Sequence, residues 1–331
     1  MYLSLSWRNI WRSRKRTIIV AASVFFAVIL AAMMRSAQLG SYSYMIDSSA
    51  KLFTGYLQIQ DSLYWEKRSP DQSYIMDAQT YTQITAIENV TMATRRLEAF
   101  ALISHRQTTK VAQVIGIDPE SENRITRIAD NLIAGEFLKD RSNGLLVGSG
   151  LAEMLAAGVG DSLIIYGQGY HGQIAAAILP IAGIVKLPFK AMDNAMILLP
   201  LRSAQTVFSC PQRITSIPII INDIRHLEEI RSAIAPILDS RLTIMAWDEM
   251  MPDLKQSIEV DNISGIIMLG ILYIVIAFGV FGTIMMMVSE RAKEFAILIS
   301  VGMKRGRLLL VLAIETFLVS FLGVLAGIGL S

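Results

Sequence analysis

Glu290, Arg291, Lys293 and Glu294 crowd four ionisable side chains into five positions, directly ahead of the apolar Phe295, Ile297 and Leu298. The wider segment, Ser289–Leu310, reads SERAKEFAILISVGMKRGRLLL and is punctuated by Gly302 and Gly306. Charges of both signs beside an amphipathic apolar stretch suit recognition of another protein rather than bond-making. A plain loop rich in positive charge is the bland alternative, but the segment is too apolar for a free loop. It is expected to dock against a partner.

Bond-making chemistry is hard to find elsewhere. The sequence has no GxxxxGK[ST] phosphate loop, no HExxH and no GxSxG. Asp118-Pro119-Glu120 follows a strand-like run and reads as a turn rather than a catalytic pair. His105, His171 and His226 are far apart, and each reads as a surface or turn residue rather than a metal ligand. The single cysteine, Cys210, excludes an intrachain disulfide and a cysteine-cluster metal site. No catalytic residue, metal or cofactor is therefore assigned to this chain. Basic residues do not cluster in its central region, so no nucleic-acid partner is expected.

The elements that must position the charged segment are long and apolar. The chain of 331 residues is 53% hydrophobic, and its mean hydropathy is +0.47. Residues 17–34 and 263–288 carry no charge, and residues 308–330 carry only Glu315. A bilayer core of about 30 Å needs about 20 helical residues, so all three are expected to span a membrane. The first also has a basic flank like a signal peptide, but its apolar run is longer than an h-region and no small-residue cleavage site follows. An uncleaved anchor is expected. Residues 1–16 hold five bases and no acid, with Leu3, Trp7, Ile10 and Trp11 on one helical face. They read as an interfacial helix. Residues 289–307 hold five bases against Glu290 and Glu294, so both segments are expected in the cytoplasm. Residues 35–262 hold 20 bases and 25 acids and are expected on the far side.

That external region mixes strand-like runs (56–60, 110–117, 144–147, 162–166, 176–185, 195–199, 217–221) with helical patterns (77–87, 151–157, 202–208, 223–238). Ser149 reads as the N-cap of the second helix, and Gly158–Asp161 as the turn after it. At its two ends, Leu39, Tyr42, Ile46, Ser49 and Phe53, and Met250, Leu254, Ile258 and Asp261, recur at helical steps. Both look like stalk helices continuing from the spans, either as ordinary amphipathic packing or as transmitters of motion. The fold class is thus α+β: transmembrane helices with a large mixed α/β domain inserted between spans one and two. Spans almost free of ionisable groups argue against an ion or proton pathway.

Glu290, Arg291, Lys293, Glu294, Phe295, Ile297 and Leu298, followed by Gly302, Lys304, Arg305, Glu315, Gly323 and Gly327, resemble the hallmark of the FtsX-like permease family of ABC transporters. Ala296 stands where that family usually has glycine. The N-terminal WRNIWRSRKR and the phrases LIAGEFL (132–138) and GLAEMLAAGVGDSL (150–163) agree with it. The resemblance implies a non-enzymatic permease subunit, paired with an identical or paralogous permease. It also implies two cytoplasmic ABC ATPases, which bind the ATP and magnesium. Four spans are usual, so a fourth is expected beyond the three seen. The segment 289–299 would be the coupling helix that fits a groove of the ATPase. The external domain resembles the periplasmic domains shared by lipoprotein-releasing permeases (LolC/LolE type) and MacB efflux pumps. A start directly before span one and a large external domain favour the former over MacB itself and over the small cell-division subgroup.

The expected activity is therefore extraction of acylated lipoproteins from the inner membrane of a Gram-negative bacterium, with handover to a periplasmic acceptor. Peptide or drug efflux of the MacB kind, and FtsX-like control of a periplasmic enzyme, are the alternatives. Lipid chains would pass between spans one and two. Met33, Met34 and Leu39 would line one side and Ile266 and Leu269 the other, since apolar, methionine-rich surfaces suit variable acyl chains. Plain helix packing is the competing reading for each of them.

Overall fold

The structure, a computed structural model, describes Trp11 and residues 14–140 and 142–329. The interfacial helix expected over residues 1–16 lies almost wholly outside the described residues, as does Leu330. The chain forms two compact units: the residues up to Tyr44 together with Asp253 onwards, and Met45–Pro252.

The first unit is helical. Helix α1 (Arg14–Ser49) continues well past its charge-free run, because Arg35, Gln38 and Tyr42 are helix-compatible polar residues that need not sit in lipid. In the second unit, α1's last residues give way to a π-turn, Ala50–Thr54, closed by Gly55. Gly55 has φ 72°, and a Cβ there would lie 2.6 Å from the backbone nitrogen of Ile219, so only glycine fits. The Tyr56 hydroxyl then donates to Asp47. Burial, and after it that carboxylate, hold the phenol well above its ordinary pKa.

An eleven-stranded sheet builds the rest of the second unit. Its strands are β1 (Leu57–Asp61), β2 (Val90–Ala93), β3 (Arg96–His105), β4 (Thr108–Ile117), β5 (Leu132–Gly135), β6 (Leu145–Gly148), β7 (Ser162–Gln168), β8 (Ile174–Val185), β9 (Met196–Pro200), β10 (Ser216–Ile221) and β11 (Leu242–Ala246). They run in the order β11-β1-β10-β3-β4-β9-β6-β8-β5, with β2 on β10 and β7 joining β3 to β8. Only β4–β9 and β6–β8 are parallel among these pairs. Helices α2 (Tyr64–Lys67), α3 (Ala78–Thr85), α4 (Pro119–Thr126), α5 (Ser149–Leu155), α6 (Lys190–Asp193), α7 (Leu201–Val207), α8 (Leu227–Ile234) and α9 (Trp247–Met250) fill the connections. Then α10 (Pro252–Glu290), α11 (Ala292–Ser300) and α12 (Arg305–Ile328) complete the α-helices among the described residues.

The sheet carries buried clusters on both faces, although Phe100, Leu102, Val111, Tyr166 and Ile178 leave part of one face exposed. On one, Leu97, Ala99, Ala101 and Ile103 of β3 pack with Leu151 and Leu155 of α5 and Ala204 of α7. On the other, Ile115, Ile117, Met196 and Leu198 pack with Ile128, Leu187 and Met192. Around β1, Leu57 and Ile59 pack with Ile217, Ile219, Ile230 and Ile244 in a further cluster. The mixed α/β domain expected between spans one and two is present.

Three local expectations are corrected. Asp118-Pro119 is a helix start, not a simple turn: the Asp118 carboxylate accepts from the Glu120 and Ser121 N–H groups at 3.2 Å, and Pro119 takes the first helical position, where its missing N–H costs nothing. Ser149 is not the N-cap of α5. Gly148 occupies that position without a side-chain cap, and Asp193, at the end of α6, supplies the cap from 44 residues further along the chain. His105 is buried rather than on the surface, with Nδ1 2.9 Å from the Leu155 carbonyl oxygen. No group of three or more metal-ligating side chains occurs among the described residues.

Candidate functional site

The charged motif starts where α10 ends at Glu290. Arg291 leaves helical geometry (φ −97°, ψ 11°), and α11 begins at the next residue. Gly302, with φ 101°, ends the short helix in a conformation that side chains with a Cβ rarely adopt. Lys304, Arg305 and Arg307 open α12. A helix N-terminus favours acids. Three bases there run against the macrodipole, so something other than local helix stability maintains them.

Across α11, Phe295 and Leu298 are half-buried, one helical step apart, while Lys293, Glu294 and Ile297 face outwards with Glu290. Ile297 in the helix and Val301 just beyond its last residue expose 63% and 82% of their surface, a large apolar area for so short a segment. Arg291 does the opposite. Its guanidinium turns inward and lies 3.5 Å from the Glu315 carboxylate, with side-chain exposures of 6% and 2%. This pair fastens the start of α11 to the middle of α12. Sequence reading noticed Arg291 and Glu315 separately but not their pairing. The available signal was one lone intramembrane acid opposite a motif arginine, since neither charge is tolerable there alone.

Glu315 belongs to a stripe, Val311, Glu315, Val319, Gly323 and Gly327, that is buried at every fourth position of α12. Its counterpart on α1 is Val20, Val24, Ala27 and Ala31. A Cβ at Gly323 would come 2.7 Å from the Ala21 carbonyl oxygen, and one at Gly327 would come 2.9 Å from Val28. The two glycines let spans one and three meet backbone to backbone, where lipid gives no hydrophobic reward for association.

Spans one and two are tied at the opposite end of the same unit. Arg35 Nη1 donates to Asn262 Oδ1 at 2.7 Å. Gln38 Nε2 donates to the Asp261 carbonyl at 2.9 Å and to its carboxylate at 3.1 Å. The Tyr42 hydroxyl donates to that carboxylate at 2.6 Å. Gly265 leaves room for Gln38, since a Cβ there would meet its amide at 2.4 Å. Among the proposed access residues, Met33, Leu39 and Ile266 are exposed, while Met34 and Leu269 are half-buried. The clasp joins α1 and α10 in the midst of these positions. In the sequence Tyr42 and Asp261 stand out only for their spacing, and nothing there marks Arg35, Gln38 and Asn262. Beyond the clasp, α10 exposes Ile267, Ile271, Ile274, Phe278 and Phe281.

In the second unit, a heavily partnered charge among the described residues is Asp193. Its carboxylate accepts from the Ser149 and Gly150 N–H groups at 3.0 and 2.9 Å, from the Ser149 hydroxyl at 2.7 Å and from the Leu187 N–H at 2.9 Å. Lys186 adds a contact at 3.3 Å. Burial pushes this carboxyl's pKa up, but the donors outweigh it and the net shift is downward.

Residues 17–237 match the family described as MacB-like periplasmic core domain, and residues 266–331 match the FtsX-like permease C-terminal region. The lipoprotein-releasing system transmembrane protein LolC of Neisseria meningitidis serogroup B is 22% identical over 239 residues, covering 69% of this chain and 57% of that protein. LolE of Haemophilus influenzae is 24% identical over 209 residues, covering 61% of this chain and 50% of that protein. The chain therefore spans about half the length of the curated relatives it matches. Among solved structures, the periplasmic region of MacB from Actinobacillus actinomycetemcomitans aligns with a TM-score of 0.42 at 12% identity, covering 63% of this chain and 94% of that one.

Proposed function

Because the chain belongs to the MacB-like periplasmic core domain family and carries an FtsX-like permease region, we propose that it is the permease subunit of an ABC transporter that releases lipoproteins from the inner membrane. The ATP and magnesium bind a partner ATPase, and this chain contributes no catalytic group. The observation that carries the reading is α11: a short helix between two spans, pinned from inside by Arg291–Glu315 while Glu294, Ile297 and Val301 face out. A rigidly seated helix with an exposed apolar edge suits seating in the ATPase groove. Two ATPases and a second permease would complete the complex.

The substrate class is supported by spans almost free of charge and by the relatives named as lipoprotein-releasing proteins. An acylated protein standing in the outer leaflet would enter beside Met33, Leu39 and Ile266, and the clasp between α1 and α10 would open to admit it.

The test is reconstitution of the chain with its ATPase and partner permease in nanodiscs holding a triacylated lipoprotein. ATP is expected to release the lipoprotein to a soluble acceptor. Ile297→Asp is expected to abolish both release and ATPase stimulation without altering thermal stability, because Ile297 is exposed. Undiminished release by Ile297→Asp refutes the coupling role. Co-purification of an outer-membrane channel with its adaptor, or of a murein hydrolase, in place of acylated protein refutes the substrate class.

A further inference from the structure

One face of the sheet in the external unit is incompletely filled. A pocket of about 390 Å³ opens there, lined by β1, β3, β4, β9, α2 and α4 and by the residues just before Pro252. That volume falls within the range of about 300–1,000 Å³ typical of small-molecule sites. Four methionines, Met192, Met196, Met250 and Met251, form much of the wall beside Ile115 and Leu198. Methionine is flexible and polarisable, so such a wall adapts to a variable apolar guest.

Most of the polar groups around Arg96 and Glu98 on the wall already have partners, on the wall or just behind it. Arg96 and Glu122 pair at 2.6 Å with side-chain exposures of 3% and 4%. Glu98 accepts from Ser216 at 2.7 Å, from Gln113 at 3.1 Å and from Tyr64 at 3.2 Å. Gln58 donates to Gln60 at 2.7 Å. A peptide entering the pocket would bring backbone N–H and carbonyl groups whose water would be lost and for which these groups offer little. An aliphatic chain brings none. Beside the pocket, the Arg68 guanidinium lies 3.5 Å from the centre of the Trp65 ring, which places a cation where an acyl chain's polar head would sit.

We propose that this methionine-walled pocket is a binding site for a single acyl chain, separate from the access face of the spans. It goes beyond the lipoprotein-release reading and does not depend on it, because binding needs neither the ATPase nor turnover. A free fatty acid, a membrane phospholipid and the N-acyl chain of a lipopeptide share the required chemistry.

The decisive experiment uses the full chain in nanodiscs without ATP. Diazirine-labelled versions of those three amphiphiles are photo-crosslinked separately, and the modified residues are mapped by mass spectrometry. At least one is expected to label the pocket strands near residues 113–117 and 192–198, and the one that does so identifies the source. Unlabelled fatty acids should compete about fourfold better per added methylene until the pocket is full, then level off. Met192→Phe with Met196→Phe should cut pocket labelling at least tenfold, while labelling of residues 17–34 and 263–288 stays constant as an internal control. The length series on the unaltered chain keeps the test valid if the double variant misfolds. Labelling confined to the spans, competition that never levels off, or equal competition by an unacylated apolar peptide would overturn the proposal.

Discussion

Arg291 and Glu315 give the sharpest test of how α11 is seated. At 3.5 Å, two unit charges attract by roughly 5 kcal/mol at an effective dielectric of about 20. Desolvation of both cancels much of that attraction, so the pair adds little net stability. Removing one partner is different, because the other charge stays buried; the expected cost is about 3–5 kcal/mol for Glu315→Leu or Arg291→Met alone. Removing both together should cost within about 1 kcal/mol of nothing, giving a coupling energy of roughly 5 kcal/mol or more in a double-mutant cycle. Unfolding of the purified chain by sodium dodecyl sulfate in mixed micelles, followed by circular dichroism, measures the cycle. ATPase stimulation should follow the same pattern, lost in each single variant and largely restored in the double. Single variants within about 1 kcal/mol of wild type, or additive effects in the double, would refute the idea that this contact holds α11 in place.

Asp193→Ala should destabilise the external unit by about 2–4 kcal/mol, because it strips the cap from α5 and leaves three backbone N–H groups without their acceptor. The depressed Asp193 carboxyl contributes stability above the unfolded value near 3.9, and that contribution disappears as pH falls through the lower folded value. Thermal melts from pH 7 down to 2 should therefore show a steeper acid loss in wild type than in Asp193→Asn; parallel curves would count against the assignment. Replacing Asp261 by Ala removes the acceptor of Tyr42 and of one Gln38 bond and should broaden the distance between spin labels at positions 33 and 269, read by double electron–electron resonance with Cys210 replaced by Ser. An unchanged distribution would show that the clasp does not hold α1 and α10 together. Gly327→Leu should cost about 1–3 kcal/mol by forcing α1 and α12 apart, measured by the same detergent unfolding, and no change would mean the helices do not meet there.

What could be read without coordinates were features carried by a continuous run of residues. The apolar spans announced themselves, as did strands such as β8 and β10, because every residue of such a run is informative. β3 was missed because Arg96 and Glu98 look like surface residues; they are buried only because Glu122, Tyr64 and Ser216 arrive from elsewhere. Ser149 looked like a cap by local rules, and only the fold could bring Asp193 to the same place and displace it. The segment 289–299 is visible as a motif, yet the role of Arg291 within it is not, since its partner lies on another helix. The clasp was hidden for the same reason: Arg35, Gln38 and Tyr42 gain meaning only opposite Asp261, Asn262 and Gly265.

The placement of β1 affects how the chain is made. It is the first strand of the external unit, yet it lies between β10 and β11, the last two, with Leu57 paired to both Ile219 and Ala246. A ribosome emits β1 long before either neighbour exists. Leu57 and Ile59, fully buried in the finished domain, must wait as bare apolar residues with unmatched backbone groups until nearly the whole domain has been synthesised. Closing so long a loop is slow and leaves an edge open to wrong partners in the meantime. Truncations that stop before β10 should therefore be degraded or aggregate rather than yield a smaller folded domain.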